Sequence, residues 1–234
     1  MAQNFKPTSN SYSMPNKVTN MQVDDFSVGQ ISKLIQDAKE IAVIPSEGSS
    51  IDGFCAAVGL YQMLRRKKKD VHFVFTKKRP EEAKDIISLG EITSNISQRE
   101  LTVSINYAST TAAKAKYSTE NDVLKVTLGP VPKEFDLSNI TSEITGYDFD
   151  LVFVLGAKKL EDLNDIYSSL KEEIKKAKVV NVDISKHNSR YGTVNIIDNE
   201  ADSLSFLVFN KAPLWALKPD KKAAKSLLTG LSVA

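Results

Sequence analysis

The sequence holds one cysteine and two histidines in 234 residues. A single thiol, Cys55, allows neither an internal disulfide framework nor a multi-cysteine zinc site. Two imidazoles, His72 and His187, exclude a histidine-rich metal centre. Apolar runs stay short, the clearest being Leu151 to Leu155, far below the roughly 20 residues that cross a bilayer. No basic stretch followed by an apolar segment opens the chain, so no secretory signal is read. Charge of one sign is also missing: 31 Lys and Arg face 29 Asp and Glu, for a net of +2. That balance gives no global pull toward nucleic acid. These absences leave a cytoplasmic protein with no membrane contact and no expected cofactor. With 41% hydrophobic residues the chain can build a core rather than stay disordered.

Residues 1 to 25 are polar and aperiodic and read as a flexible arm. Order is expected from Ser27, which with Gln30 fits a capping box ahead of Ile31, Leu34 and Ile35 at helical spacing. Ile41 to Ile44 is a wholly apolar strand of the kind found in parallel sheets covered on both faces. A loop from Pro45 to Ser50 leads into a helix over 51–68. Strand 71–75 follows, and Pro80 opens a short helix ending near Gly90. This order predicts an α/β fold, a mostly parallel sheet flanked by helices with right-handed crossovers.

The middle of the chain reads differently. Leu101, Val103, Ile105 and Tyr107 alternate with polar residues, as do Leu124, Val126 and Leu128. A weaker strand lies at 113–117, and Thr119 to Asp122 fits a hairpin turn. Residues 100–130 are therefore read as an inserted antiparallel β-meander, so that one domain spans 26–234. The α/β pattern resumes with strand 151–155, a helix over 160–176, strands at 179–182 and 194–197, and helices at 202–210 and 219–228.

Ligands of a parallel α/β sheet sit outside the carboxyl ends of its strands, which singles out three loops. The first, PSEGSSIDGF, places Ser49, Ser50 and Asp52 at a helix N-terminus, where a serine either caps the helix or helps hold an anion. The second is Gly156 to Lys159. The third, VDISKHNSRYG, offers Asp183 as a metal ligand, His187 as an acid or base, Asn188, and Arg190 as a phosphate contact. Its plainer reading is an Asx turn with exposed side chains.

Arg65, Arg66, Lys67, Lys68, Lys69, Lys77, Lys78 and Arg79 form a basic segment. Eight cations against Asp70 give a local net of +7, read either as a solvated helix end or as a patch for phosphate backbones. Residues 134–173 carry ten acids and three lysines, a local net of −7.

In combination, IAVIPSEGSSIDGFCAAVGLYQML, VVNVDISKHNSRYGTVNIIDNEADSLSFLVFNKAPL and KKAAKSLLTGL resemble the DHH phosphoesterase superfamily, which includes RecJ-like nucleases and oligoribonucleases. Asp183, Asn188, Arg190, Tyr191, Gly192, Asn195, Asp198 and Ala201 fall into its pattern. The resemblance implies a manganese- or magnesium-dependent phosphoesterase scaffold whose metal ligands are largely gone. Ser46 and Ser50 stand where the family has a His and an Asp, and Gly156 where it has an Asp. Ile184 and Ser185 replace its paired histidines, and Ala234 its last Asp. Asp52 and Asp183 remain, too few for a two-metal clamp. By the same resemblance, the family's usual C-terminal substrate domain is expected to be missing. The resemblance thus points to a catalytically inactive domain acting by binding a nucleotide or phosphate, or to a self-assembling module forming a homo-oligomer or larger assembly. A reduced-site phosphoesterase acting on oligonucleotides or cyclic dinucleotides and a nucleic-acid-binding module are the alternatives.

Overall fold

The structure is a computed structural model of the chain and describes residues 25–96, 100–106, 114–131, 133 and 135–234. Of the arm expected at 1–25, residues 1–24 lie outside the described residues, as does the strand position of Tyr107, while Asp25 opens a helix. The fold is α/β, built on a six-stranded parallel sheet flanked by helices. The sheet contains β1 (Glu40–Pro45), β2 (Asp70–Val74), β3 (Ile92–Thr93), β8 (Leu151–Leu155), β9 (Lys178–Asp183) and β10 (Val194–Ile197) in the order β10-β9-β8-β1-β2-β3. From β1 the chain steps to β2 and β3 on one side, then returns across β1 to β8, β9 and β10 on the other.

Strand alternation divides the core into two layers. Ile41, Val43, Leu151, Phe153 and Leu155 face α1 (Asp25–Asp37), α2 (Ile51–Arg65), α4 (Leu204–Lys211) and α5 (Lys221–Leu231), with Trp215 in the same cluster. Ala42, Ile44, Val152 and Val154 face α3 (Asp165–Lys176), which contributes Ile166, Leu170 and Ile174. Burial on both faces explains why these strands read as continuous apolar runs.

Helix boundaries differ from the sequence reading where side chains compete for the backbone. α1 begins at Asp25, two residues ahead of Ser27. The helix expected over 160–176 starts as a 3-10 turn, Leu160–Leu163, and α3 begins only after Asn164, whose φ of 48° breaks the run. The helix expected after Pro80 is replaced by two 3-10 turns, Glu81–Ala83 and Leu89–Glu91. The second is closed by Glu91, whose carboxylate accepts from both the Ser88 N–H and its hydroxyl.

The inserted strands are antiparallel but pair in a nested order rather than as a meander. β4 (Glu100–Ile105) pairs with β7 (Ile140–Thr145), and between them in the chain β5 (Lys114–Glu120) pairs with β6 (Val123–Gly129). Asn121 and Asp122 form the β5–β6 turn with φ of 49° and 62°, the left-handed geometry that a two-residue hairpin requires. No described residue from 100 to 148 is buried.

Candidate functional site

The chain diverges between β1 and β8, so the crevice at their carboxyl ends is the place where this topology offers a site. The loop after β1 is held by its own serines. Ser46 donates its N–H to the Leu155 carbonyl (2.8 Å), and Ser49 returns its hydroxyl to the Ser46 carbonyl (2.7 Å). Ser50 is the N-cap of α2 and accepts from Gly53 N–H at 3.4 Å. Gly156, at the end of β8, has φ of +70°, and a Cβ built on it would lie 3.1 Å from both Leu204 Cδ1 and Ser49 Cβ. A Cβ on Gly53 would meet the same two side chains at 3.2 and 2.8 Å. Leu204, itself buried, thus plugs the crevice between the two glycines. An acidic side chain in place of Gly156 could not be accommodated without moving it.

Asp52 is 3% exposed and is committed to the start of α4. Its Oδ1 accepts from the Ser203 hydroxyl (3.0 Å) and Ser205 N–H (3.1 Å), and its Oδ2 from Leu204 N–H (2.6 Å). A carboxylate here neutralises the positive end of the α4 dipole and satisfies amides that have no partner within the helix. Ser203 then caps the same helix by accepting from Phe206 N–H (3.2 Å).

Asp183, also 3% exposed, organises the loop after β9. Its Oδ1 accepts from Ile184 N–H (2.8 Å), and its Oδ2 from the Asn188 side-chain amide (2.8 Å). Asn188 Nδ2 also reaches the Ala157 carbonyl (2.9 Å), while its Oδ1 accepts from Asn181 Nδ2 (2.7 Å) and Arg190 N–H (2.8 Å). Asn181, fully buried in β9, continues the network to Asn195 Oδ1 (2.9 Å), which takes Gly192 N–H (3.0 Å). Tyr191 donates to the Ala157 carbonyl at 3.2 Å, and burial pushes its phenol above the ordinary range. His187 and Arg190 are exposed, with Arg190 at φ of 55°. Of the seven expected ligand-binding residues, the network joins Asp183, Asn188 and Arg190, while Ser49, Ser50 and Asp52 face other duties.

Sequence reasoning passed over Glu47 and Asn181. The Glu47 side chain is 3% exposed and ties three loops together. It accepts from Thr76 Oγ1 (2.6 Å) and Asn164 Nδ2 (3.1 Å) and lies 3.5 Å from Lys77 Nζ. The signal for Asn181 was present as the one amide inside the apolar run VVNV. Glu47 gave none, because its partners are remote in sequence.

The eight basic residues do not form one surface. Arg65 to Lys69 end α2 beside the amino end of β2, and Lys77 to Arg79 follow its carboxyl end, so the five-residue strand of about 16 Å separates them. Arg65 pairs with Glu91 (3.0 Å), Arg66 with Asp220 (3.8 Å), and Lys77 with Glu47. Lys69 donates to the Gln36 and Ala38 carbonyls, and Arg79 to that of Ile87. Lys67, Lys68 and Lys78 are exposed. Among the described residues, no group of three or more His, Cys, Asp or Glu side chains comes together to hold a metal ion. Asp52 and Asp183, spent on separate helix and loop contacts, do not fit a two-metal centre.

No protein-family model and no curated protein matches the chain. Among solved structures, an exopolyphosphatase-related protein from Bacteroides fragilis shares the fold, with a TM-score of 0.60 over 88% of this chain and 14% identity. The chain spans about half of that protein's length, 49%. The likeness establishes that the chain shares that protein's α/β fold. No helix among the described residues is long and apolar enough to cross a membrane.

Proposed function

We propose that the chain is a non-hydrolytic, DHH-like scaffold that needs no cofactor and works by self-association, with the antiparallel insertion as its contact surface and a second copy as its partner. The observation that carries this reading is the exposed apolar insertion. Leu101, Val103, Leu124, Val126 and Ile144 are 53–69% exposed. Apolar side chains of β4, β6 and β7 line an open cavity of about 510 Å³. Two-stranded ribbons are marginal in water on their own, and contiguous apolar surface of this kind marks an interface. Among the described residues each inserted strand pairs on one side only, leaving edges that can add a further strand. The four strands carry Lys114, Lys116 and Lys125 against Glu100, Glu120 and Glu143. That surface calls for no partner of opposite charge and suits a self-complementary two-fold contact.

The non-hydrolytic part of the proposal is supported by the plugged crevice and by the hydrogen bonds that occupy Asp52 and Asp183. Light scattering over a concentration series tests the association. The expected result is a mass of two or more protomers at tens of micromolar, reduced to one protomer in Val103→Asp/Val126→Asp. A monomer at every concentration refutes it. Manganese-dependent hydrolysis of oligonucleotides or cyclic dinucleotides that is abolished by Asp183→Ala refutes the non-hydrolytic part.

A further inference from the structure

A charged cavity lies away from both the crevice and the insertion. It measures about 620 Å³ and opens where the end of α2, the turns at 81–91 and the start of α5 meet. α5 runs antiparallel to α2, with Asp220 beside Arg66 and Gly230 packed on Asp52 and Cys55. The cavity therefore sits one length of α2 from the crevice, 15 residues or about 22 Å.

Five cations line it: Arg65, Arg66, Lys84, Lys222 and Lys225. Three carboxylates, Asp85, Glu91 and Asp220, share the wall, leaving a net of five minus three, +2. Only part of the positive charge is neutralised internally. Arg65 is paired with Glu91, Arg66 with Asp220 at 3.8 Å, and Lys84 with Glu81 at 3.2 Å. Among the described residues no carboxylate pairs with Lys222 or Lys225, and Lys225 Nζ donates instead to the Asp85 carbonyl (3.1 Å). Asp220 caps α5, its side chain accepting from Ala223 N–H (2.9 Å). The floor is braced by Gln62, which donates to the Ile86 carbonyl (2.7 Å) and accepts from the Ser226 hydroxyl (2.9 Å).

We infer that this cavity binds a multivalent anion carrying two or three linked phosphoryl groups. Its volume is in the range of small-molecule sites. Cations spread over three elements suit several linked charged groups better than one compact charge. Arginine forks and lysine point charges are the ordinary partners of such oxygens. The interspersed carboxylates disfavour a long nucleic-acid strand. Of the basic segment in the sequence, Arg65 and Arg66 serve here, joined by lysines more than 150 residues away.

Isothermal titration of the full chain with inorganic tripolyphosphate, orthophosphate and a nucleoside triphosphate tests the inference. Tripolyphosphate is expected to bind at least about tenfold tighter than orthophosphate, and to weaken several-fold from 50 to 200 mM salt as exposed charges are screened. Arg66→Ala/Lys222→Glu is expected to lose about tenfold or more in affinity while its ligand-free melting temperature stays near that of the parent. Equal affinity for the nucleotide and the inorganic chain assigns recognition to the phosphates, and tighter nucleotide binding that is lost in the double variant extends the site to the nucleoside. Absence of binding at millimolar tripolyphosphate, or an affinity unchanged in the double variant, overturns the inference.

Discussion

β8 and β6 are apolar strands of one chain with opposite fates. LVFVL is buried at all five positions, whereas VLKVTLG has none of its seven buried. Composition does not separate them; neighbours do. β8 is paired on both sides and covered on both faces, so each of its side chains meets a helix. Among the described residues β6 has one ribbon partner and no helix over it. An apolar strand is stabilised by what covers it, and under the proposed self-association the cover of the insertion is a second copy of the chain. The polar groups divide in the same way. In the core, Asp52 and Asp183 are enclosed and hydrogen-bonded at both carboxylate oxygens, while the charges of the insertion stand in solvent.

The largest effect expected from this contrast is on stability. Phe153→Ala in β8 should cost about 3–5 kcal/mol in urea unfolding of the monomer, from lost burial and the cavity left behind. Tyr117→Ala in β5, at a residue 83% exposed, should stay within about 0.5 kcal/mol. Similar costs for the two would erase the distinction between the regions.

Next in size is Asp52→Ala. It leaves the N–H groups of Leu204 and Ser205 and the Ser203 hydroxyl without their buried acceptor, for about 2–4 kcal/mol by the same measurement. A carboxylate kept for metal would instead be neutral or stabilising to remove, since it would sit unpaired in the apo chain.

The smallest effect concerns Cys55. Burial, with lesser contributions from Asp52 and Glu82, pushes its thiol from 9.0 up to about 12. The folded state therefore holds its proton more tightly than the unfolded state. Its contribution to stability is constant below pH 9 and is lost as pH rises from there toward 12. In the native state at pH 8 the thiol should resist disulfide-exchange reagents, and it should react at once in denaturant. Rapid native-state labelling would show that the α2–α5 contact opens readily.

Much of the core was legible because its signals are local. Five consecutive apolar residues mark β8, and Ser50 caps α2 three residues away from the amide it accepts. The rest depends on contacts remote in sequence. β7, ITSEIT, has two isoleucines and no turn signal of its own, and its partner β4 lies about 40 residues earlier, so a sequential meander was the natural expectation. Asp52 looks like a retained metal ligand in its own loop, yet its hydrogen-bond donors are 151 to 153 residues away. Leu204, which closes the crevice, reads as an ordinary helix residue. The basic segment looked continuous because sequence does not show that β2 carries its two halves to opposite ends of the sheet.

Hydrogen exchange followed by mass spectrometry over a concentration series tests the central claim most directly. The account predicts that peptides covering 114–129 and 140–145 exchange rapidly at low protein concentration and slow by tenfold or more as concentration rises, while peptides covering 151–155 and 178–183 stay equally protected throughout. Insertion peptides with the same protection at every concentration would contradict it, since the exposed strands would then have no second copy to cover them.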